Sequence, residues 1–360
     1  MDYSSQIKKF LEIAIKENAS DLHISCGHPP ILRVARGLKD YKGLKVITPE
    51  DSENLAFALM NDWQKARFLK EKEIDFAYDV EGKARFRVNV FFQSQQISIA
   101  LRLIPSAIRT IEELSLPPVL HKFTQAKQGF ILVTGASSQG KSTTLASLID
   151  EINHTRREHI ITIEDPIEYV FKDDKCIIDQ REVYRDTFSF STALRSTLRE
   201  DPDVIMVGEM RDLETMATVI TAAETGHLVF ATLHTNSCSQ TIHRIIDGFP
   251  PHQQNQIRAQ LAGSLLGVVS QRIIPGIKRN LVPACEVLIS TPGVANLIRE
   301  NKTHEIPSII ETSSNIGMIP LNKSLEELVR KREIGREDAL YYSLNPDDLR
   351  LRLEKHEIFL

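Results

Sequence analysis

The sequence predicts an α/β protein built of two domains, and three observations carry that expectation. Its 360 residues are about twice the length of a domain of roughly 150. Short strands with period-two alternation fill the stretch before a break at Ile104-Pro105-Ser106. Beyond it, continuous apolar runs alternate with helical segments, the texture of a parallel sheet covered on both faces. The expected organisation is a small α+β domain over 1–103, a linker over 104–110 and a larger domain over 111–360. The last part, from about residue 292, is mainly helical.

In the first domain, Ile7, Phe10, Leu11, Ala14 and Ile15 fall on one stripe of an amphipathic helix that stops near Asn18 to Asp21. Strands are expected at 21–25, 31–34, 74–80, 85–92 and 97–103, with a helical stretch around 49–69. Along 85–92, Phe86, Val88, Val90 and Phe92 share one face, and Arg85, Arg87 and Asn89 share the other. In the second domain, strands are expected at 129–134, 159–164, 204–208, 227–234 and 283–290. Leu213, Met216, Ala217 and Ile220 mark a helix, with Asp212 as N-cap and Gly226 just past its end.

Composition excludes several classes. Hydrophobic residues are 42%, charged residues 26% and the formal net charge −4, which rule out disorder over most of the chain and a globally basic nucleic-acid coat. Aromatics are only 6%, and no arginine- and aromatic-rich stretch suggests a nucleic-acid channel. Cys26, Cys176, Cys238 and Cys285 lie far apart, without the pairs of a zinc ribbon or a disulfide framework. No signal-peptide core or bilayer-length apolar run is present, so a cytoplasmic protein is expected, with any membrane contact made through a partner.

The strongest local signal is Gly135-Ala136-Ser137-Ser138-Gln139-Gly140-Lys141-Ser142, which fits G-x-x-x-x-G-K-[ST] between an apolar strand and a helical run. Amides of such a loop and the positive end of the next helix cradle phosphates. Lys141 would reach the β- and γ-phosphates of ATP, Ser142 would hold Mg²⁺, and Thr143 is counted with the nucleotide-binding residues.

Two further strands end in acids. Ile161-Thr162-Ile163-Glu164-Asp165-Pro166-Ile167-Glu168 places three carboxylates at a strand's carboxyl end, where open parallel sheets bind ligands. Glu164 is the first candidate to position and deprotonate the attacking water; Glu168 reads as a turn cap. Val204-Ile205-Met206-Val207 ends in Gly208-Glu209, with glycine where many nucleotide hydrolases have aspartate, so Glu209 is the carboxylate available to the metal's water shell. The two glutamates could exchange these roles. His227 and His234 bracket the strand between them and would point to opposite faces, so they are not expected to share a metal. His234, at the carboxyl end, could meet the γ-phosphate; His227 is as readily structural as nucleotide-binding.

Together these runs resemble the secretion ATPases and, within them, the retraction ATPases of type IV pili. The phosphate loop, the acidic box Thr162 to Glu168, the run Asp203 to Arg211 and the histidine box Gly226 to His234 occur in the family's order. The likeness extends to Ala19-Ser20-Asp21-Leu22-His23-Ile24-Ser25 with Pro29-Pro30, and to Asn296-Leu297-Ile298-Arg299-Glu300, similar to a retraction-specific motif. It implies a RecA-like P-loop core with a smaller PAS-like N-terminal domain, assembled as a homohexamer with nucleotide held between domains.

The implied function is ATP-driven retraction of pili for twitching motility. The ring would be cytoplasmic and peripheral at the inner membrane, acting on a membrane platform protein and on occasion with paralogous pilus ATPases. By the same resemblance, Arg85, Arg87 and Arg102 would touch the nucleotide phosphates. Two other readings are a weakly active regulatory paralogue and a RecA-like nucleic-acid motor. The family loop usually has Thr-Gly-Ser where Ser137-Ser138-Gln139 stands, so a non-glycine residue is expected at positive φ, with slower turnover.

Overall fold

The computed structural model describes residues 2–34, 37–41, 43–80, 84–104, 107–278 and 281–357. Pro105 and Ser106, at the expected domain break, lie outside the described residues. The chain forms two compact units. The first comprises Met1–Ala107 together with Asp165–Val170, and the second comprises Ile108–Glu164 and Phe171–Leu360. The segment Asp165–Val170, expected within the larger domain, thus groups with the first unit.

In the first unit, α1 (Tyr3–Lys16) is capped by the Asp2 side chain and buries Ile7, Phe10, Leu11 and Ala14. The expected single helical stretch over 49–69 is two helices, α2 (Pro49–Leu59) and α3 (Asp62–Glu71). The break is chemical. Asn61 and Gln64 form a second reciprocal cap directly after Met60 leaves helical geometry, as Thr48 and Asp51 do for α2.

Strands β1 (Asp21–Ile24), β2 (Ile31–Val34), β3 (Gly37–Asp40), β4 (Glu73–Val80), β5 (Ala84–Gln93) and β6 (Gln96–Ile104) make one antiparallel sheet in the order β3-β2-β1-β6-β5-β4. Strand β3 escapes a pattern-based reading because all four of its residues are exposed. On β5, Phe86, Val88 and Val90 are buried in the unit's core, as the alternation requires.

The second unit carries a seven-stranded sheet in the order β13-β12-β7-β11-β10-β8-β9. Its strands are β7 (Gly129–Thr134), β8 (His159–Glu164), β9 (Ile177–Glu182), β10 (Val204–Val207), β11 (Leu228–Leu233), β12 (Leu265–Pro275) and β13 (Leu281–Ile289). All neighbours are parallel except the β12–β13 hairpin. Every residue of β7, β10 and β11 is buried, which accounts for their continuous apolar runs.

Helices α4 (His121–Thr124), α5 (Lys141–Thr155), α6 (Phe190–Thr197), α7 (Leu213–Glu224), α8 (Cys238–Gly248) and α9 (Pro251–Ser264) belong to the same unit. Asp212 caps α7 by accepting from the Thr215 amide. After β13 come α10 (Pro292–Arg299), α11 (Ile306–Thr312), α12 (Leu321–Arg330), α13 (Arg336–Tyr342) and α14 (Pro346–Glu357). Among the described residues, no helix is long and apolar enough to cross a membrane.

The largest core cluster lies in this unit and includes Phe130, Leu132, Ile163, Ile205, Val229 and Leu261. Phe130 is fully buried there. Phe130→Ala is expected to cost about 3–5 kcal/mol, while Phe188→Ala, at a side chain 85% exposed, should stay within about 0.5 kcal/mol. Urea denaturation of both variants beside the wild type measures the difference.

Candidate functional site

The sheet order decides which side chains can meet. In β7-β11-β10-β8 all four strands run the same way, so the segments after Thr134, Leu233, Val207 and Ile163 emerge along one edge. Those segments hold the phosphate-loop sequence, His234, Glu209 and Glu164.

The loop from Gly135 to Gly140 turns directly into α5, whose first residue is Lys141. Two glycines are dictated by geometry. Gly135 has φ of +150°, and a Cβ there would meet the Gln271 carbonyl oxygen at 2.6 Å. Gly140 has φ of +77° as N-cap of α5. Ser138 is the non-glycine residue that takes the left-handed backbone, at φ of +62°. That conformation costs an L-residue roughly 1–2 kcal/mol. Ala136, Ser137 and Ser138 are exposed; Ser142 and Thr143 lie half-buried in the first turn of α5.

Lys141 is 8% exposed, and its Nζ donates to the carbonyl oxygens of Gly135 and Ala136, both at 2.9 Å. His234 Nδ1 stands 3.5 Å from the same Nζ. The other imidazole nitrogen, Nε2, lies 3.2 Å from Glu209 Oε1, and Arg211 Nε donates to Glu209 Oε2 at 3.0 Å. Lysine, histidine and glutamate therefore form one connected polar cluster. Gly208 precedes Glu209 for steric reasons: a Cβ would lie 3.2 Å from the Ile163 carbonyl oxygen and 3.4 Å from Glu164 Cα. An aspartate at that position would crowd β8.

Glu164 is 7% exposed at the end of β8. Thr162 Oγ1 donates to its Oε1 at 2.7 Å and Gln180 Nε2 to the same oxygen at 3.1 Å. Such a carboxylate can accept a proton from water, and the cluster beside the loop can meet phosphate charge. Ser142 and Glu209 are hard oxygen donors of the kind Mg²⁺ prefers.

The remaining expected site residues are His227 and three arginines of the first unit. His227 precedes β11, at the end opposite His234, and its Nδ1 lies 3.0 Å from the Ala222 carbonyl oxygen at the close of α7. In the first unit, Arg85 Nη1 binds Asp79 at 3.1 Å, Arg87 Nη1 binds Glu168 at 3.3 Å and Arg102 Nε binds Asp21 at 2.9 Å. Glu168 holds an arginine, and Arg87 and Arg102 are register partners across β5 and β6.

Residues without a sequence signal support the loop. Buried Gln271 on β12 donates through Nε2 to the Gln139 carbonyl oxygen and accepts from Thr144 Oγ1 at 2.8 Å. The Ile273 amide donates to Gln139 Oε1 at 2.6 Å. Arg272, between them, reaches the carbonyl oxygens of Asn236 and Tyr342. Glu286 on β13 accepts from the Cys238 amide at 2.6 Å, holding the chain beyond His234; burial raises its carboxyl above the usual range. The available clue was a Gln-Arg pair inside an otherwise apolar run.

A parallel sheet with a glycine-lysine phosphate loop after one strand and glutamates after its neighbours defines a P-loop nucleotide-binding protein. The chain belongs to the Type II/IV secretion system protein family, whose model matches residues 3–336. It is 46% identical over 333 residues to the type IV pilus retraction ATPase PilT of Pseudomonas aeruginosa, covering 92% of this chain and 96% of the relative. A twitching motility protein of Neisseria gonorrhoeae is 43% identical, with 89% and 86% covered. The crystal structure of the pilus retraction motor PilT with bound ADP superposes with a TM-score of 0.87 at 46% identity, over 95% of this chain and 98% of that one.

Ser138 already holds the left-handed backbone in this structure, so its cost falls on folding. Ser138→Gly relieves roughly 1–2 kcal/mol of that strain and gives back about 0.4–1 kcal/mol through the freer unfolded chain, so a net gain in stability of up to about 1 kcal/mol is expected. Urea denaturation measures it; a less stable variant would show that the left-handed backbone is not strained.

Proposed function

We propose that the protein is a motor ATPase that hydrolyses ATP to retract type IV pili and so powers twitching motility. The observation that carries the chemistry is the convergence of Lys141, His234, Glu209 and Glu164 at the carboxyl ends of four adjacent parallel strands. The retraction role is supported by the likeness to PilT over nearly the whole chain.

In this reading the loop amides and Lys141 bind the β- and γ-phosphates, exchanging the lysine's bonds to the Gly135 and Ala136 carbonyls for phosphate oxygens. Glu164 takes a proton from water as the water oxygen bonds the γ-phosphorus and the bond to the β-phosphate oxygen breaks. His234, bridging Lys141 and Glu209, responds to the loss of the γ-phosphate. Ser142 and Glu209 would hold Mg²⁺, which supplies charge neutralisation at the phosphates when bound. Arg85, Arg87 and Arg102 would add guanidiniums to the phosphates after leaving Asp79, Glu168 and Asp21.

The proposed assembly is a homohexamer in the cytoplasm at the base of the pilus, working on an inner-membrane platform protein and alongside paralogous pilus ATPases. On α10, Val294, Ala295 and Ile298 are buried while Asn296 and Arg299 face solvent. That exposed face is the proposed contact with the load.

Lys141→Ala is expected to abolish turnover of the purified protein. Glu164→Gln should retain ATP binding while cleavage falls by about 10²- to 10⁴-fold, read by phosphate release beside calorimetric binding; near-normal cleavage would transfer the base role to Glu209. Separately, Asn296→Ala with Arg299→Ala should leave ATPase turnover unchanged and stop twitching of cells. Full motility in that double variant would remove α10 from the load contact.

A further inference from the structure

Strand β12 outlasts its neighbour. Its pairing with β7 ends at Ser270 opposite Thr134, while β12 itself continues to Pro275. The phosphate loop packs on the residues just past that point. A Cβ on Gly135 would meet the Gln271 carbonyl oxygen at 2.6 Å, and one on Gly140 would meet Gln271 Nε2 at 3.1 Å and Ile273 Cδ1 at 3.3 Å. Beside Gly140, Gln139 makes two hydrogen bonds to the same stretch of strand. Its side-chain Oε1 accepts from the Ile273 amide at 2.6 Å, and its main-chain carbonyl accepts from Gln271 Nε2.

Gln271 is buried and is oriented in turn, because its Oε1 accepts from Thr144 Oγ1 of α5 at 2.8 Å. With the amide reversed, its oxygen would face the Gln139 carbonyl oxygen and the bond to the loop would be lost.

We propose that Gln139, Gln271 and Thr144 are positioning residues that clasp the phosphate loop to β12 in the shape that receives nucleotide phosphates. The inference rests on the reading that nucleotide seats in this loop.

The need comes from the loop's backbone. Gly140 and Ser138 are left-handed, at φ of +77° and +62°, and the side chain of Ser138 disfavours that conformation. Ala136, Ser137 and Ser138 are exposed, so the hold on the loop falls on its ends. Loop amides bind a phosphate when they point inward together, and ordering a free loop at the moment of binding would cost backbone entropy at every residue. Bonds that belong to the chain itself remove that cost from binding. They shape the loop and not the reacting atoms, so they favour ATP and ADP alike and leave the cleavage step unchanged.

The test compares affinity with turnover in the full chain. Gln139→Ala and Thr144→Val should each weaken ADP and a non-hydrolysable ATP analogue by about fivefold in calorimetric titration. KM for ATP should rise by the same factor, with kcat within about twofold of wild type. Thr144→Ser, which keeps the hydroxyl, should restore wild-type affinity.

Wild-type affinity in both Gln139→Ala and Thr144→Val would overturn the proposal, as would a loss confined to kcat or one that Thr144→Ser fails to restore. Should Thr144→Val fail to fold, Gln271→Met takes its place beside Gln139→Ala, and the same outcomes decide. Lys141→Ala separates the two levels. Wild-type ADP affinity there removes the seating of nucleotide in the loop, whereas lost affinity beside unaffected Gln139→Ala and Thr144→Val removes the clasp alone.

Discussion

The shared direction of four neighbouring strands is the constraint on which the site depends. Because β7, β11, β10 and β8 run parallel, the segments at their carboxyl ends are delivered to a single edge. Lys141 and His234, 93 positions apart in sequence, become neighbours there. Strands β7, β10 and β11 carry no charged side chain along their buried lengths, and the charged groups of the site stand at or beyond the strand ends. A nearly buried ammonium is tolerable at such an end because the loop's own carbonyls accept from it. The same donor is then poised for a phosphate, since exchanging one set of oxygens for another costs little desolvation.

Around this edge, two strands provide support without chemistry of their own. Strand β12 holds the phosphate loop through Gln271 and the Ile273 amide, and β9 holds Glu164 through Gln180. Both glutamines anchor one end on a backbone group or a hydroxyl and turn the other to the site. That arrangement fixes the direction of an amide, which alone has no preferred side. Arg272 extends the β12 support to Asn236, two residues after His234, and to Tyr342 on α13. The phosphate loop, the segment after His234 and the helical C-terminal region are thereby tied to a run of three residues.

Much of this was legible in the sequence, and the exceptions have identifiable causes. Strands β7, β8, β10 and β11 announce themselves as apolar runs because both faces are covered. Strand β9, at the sheet's edge, reads Ile-Ile-Asp-Gln-Arg-Glu and has a single fully buried residue, so no pattern marks it. Strand β12 comes straight after α9 without a loop, and its Leu265-Leu266 start looks like further helix. Gly267 is needed there because a Cβ would strike the Phe123 ring. Lys141 could be picked out from the phosphate-loop pattern, and Glu164, Glu209 and His234 because polar groups at the end of an apolar strand are conspicuous. Gln180 and Gln271 could not, since a neutral amide acquires meaning only from its contacts. The loop's departure from the family's glycine foreshadowed the left-handed backbone now seen at Ser138.

The proposed function comes down to one claim: ATP would bind on the Gly135–Lys141 loop and be cleaved by water that Glu164 activates. The most direct measurement is a crystal structure with magnesium and a non-hydrolysable ATP analogue. The account predicts the γ-phosphate against Lys141 and His234, with an ordered water within hydrogen-bonding distance of the Glu164 carboxylate. A water held by Glu209 alone, or an analogue bound away from the loop, would contradict it.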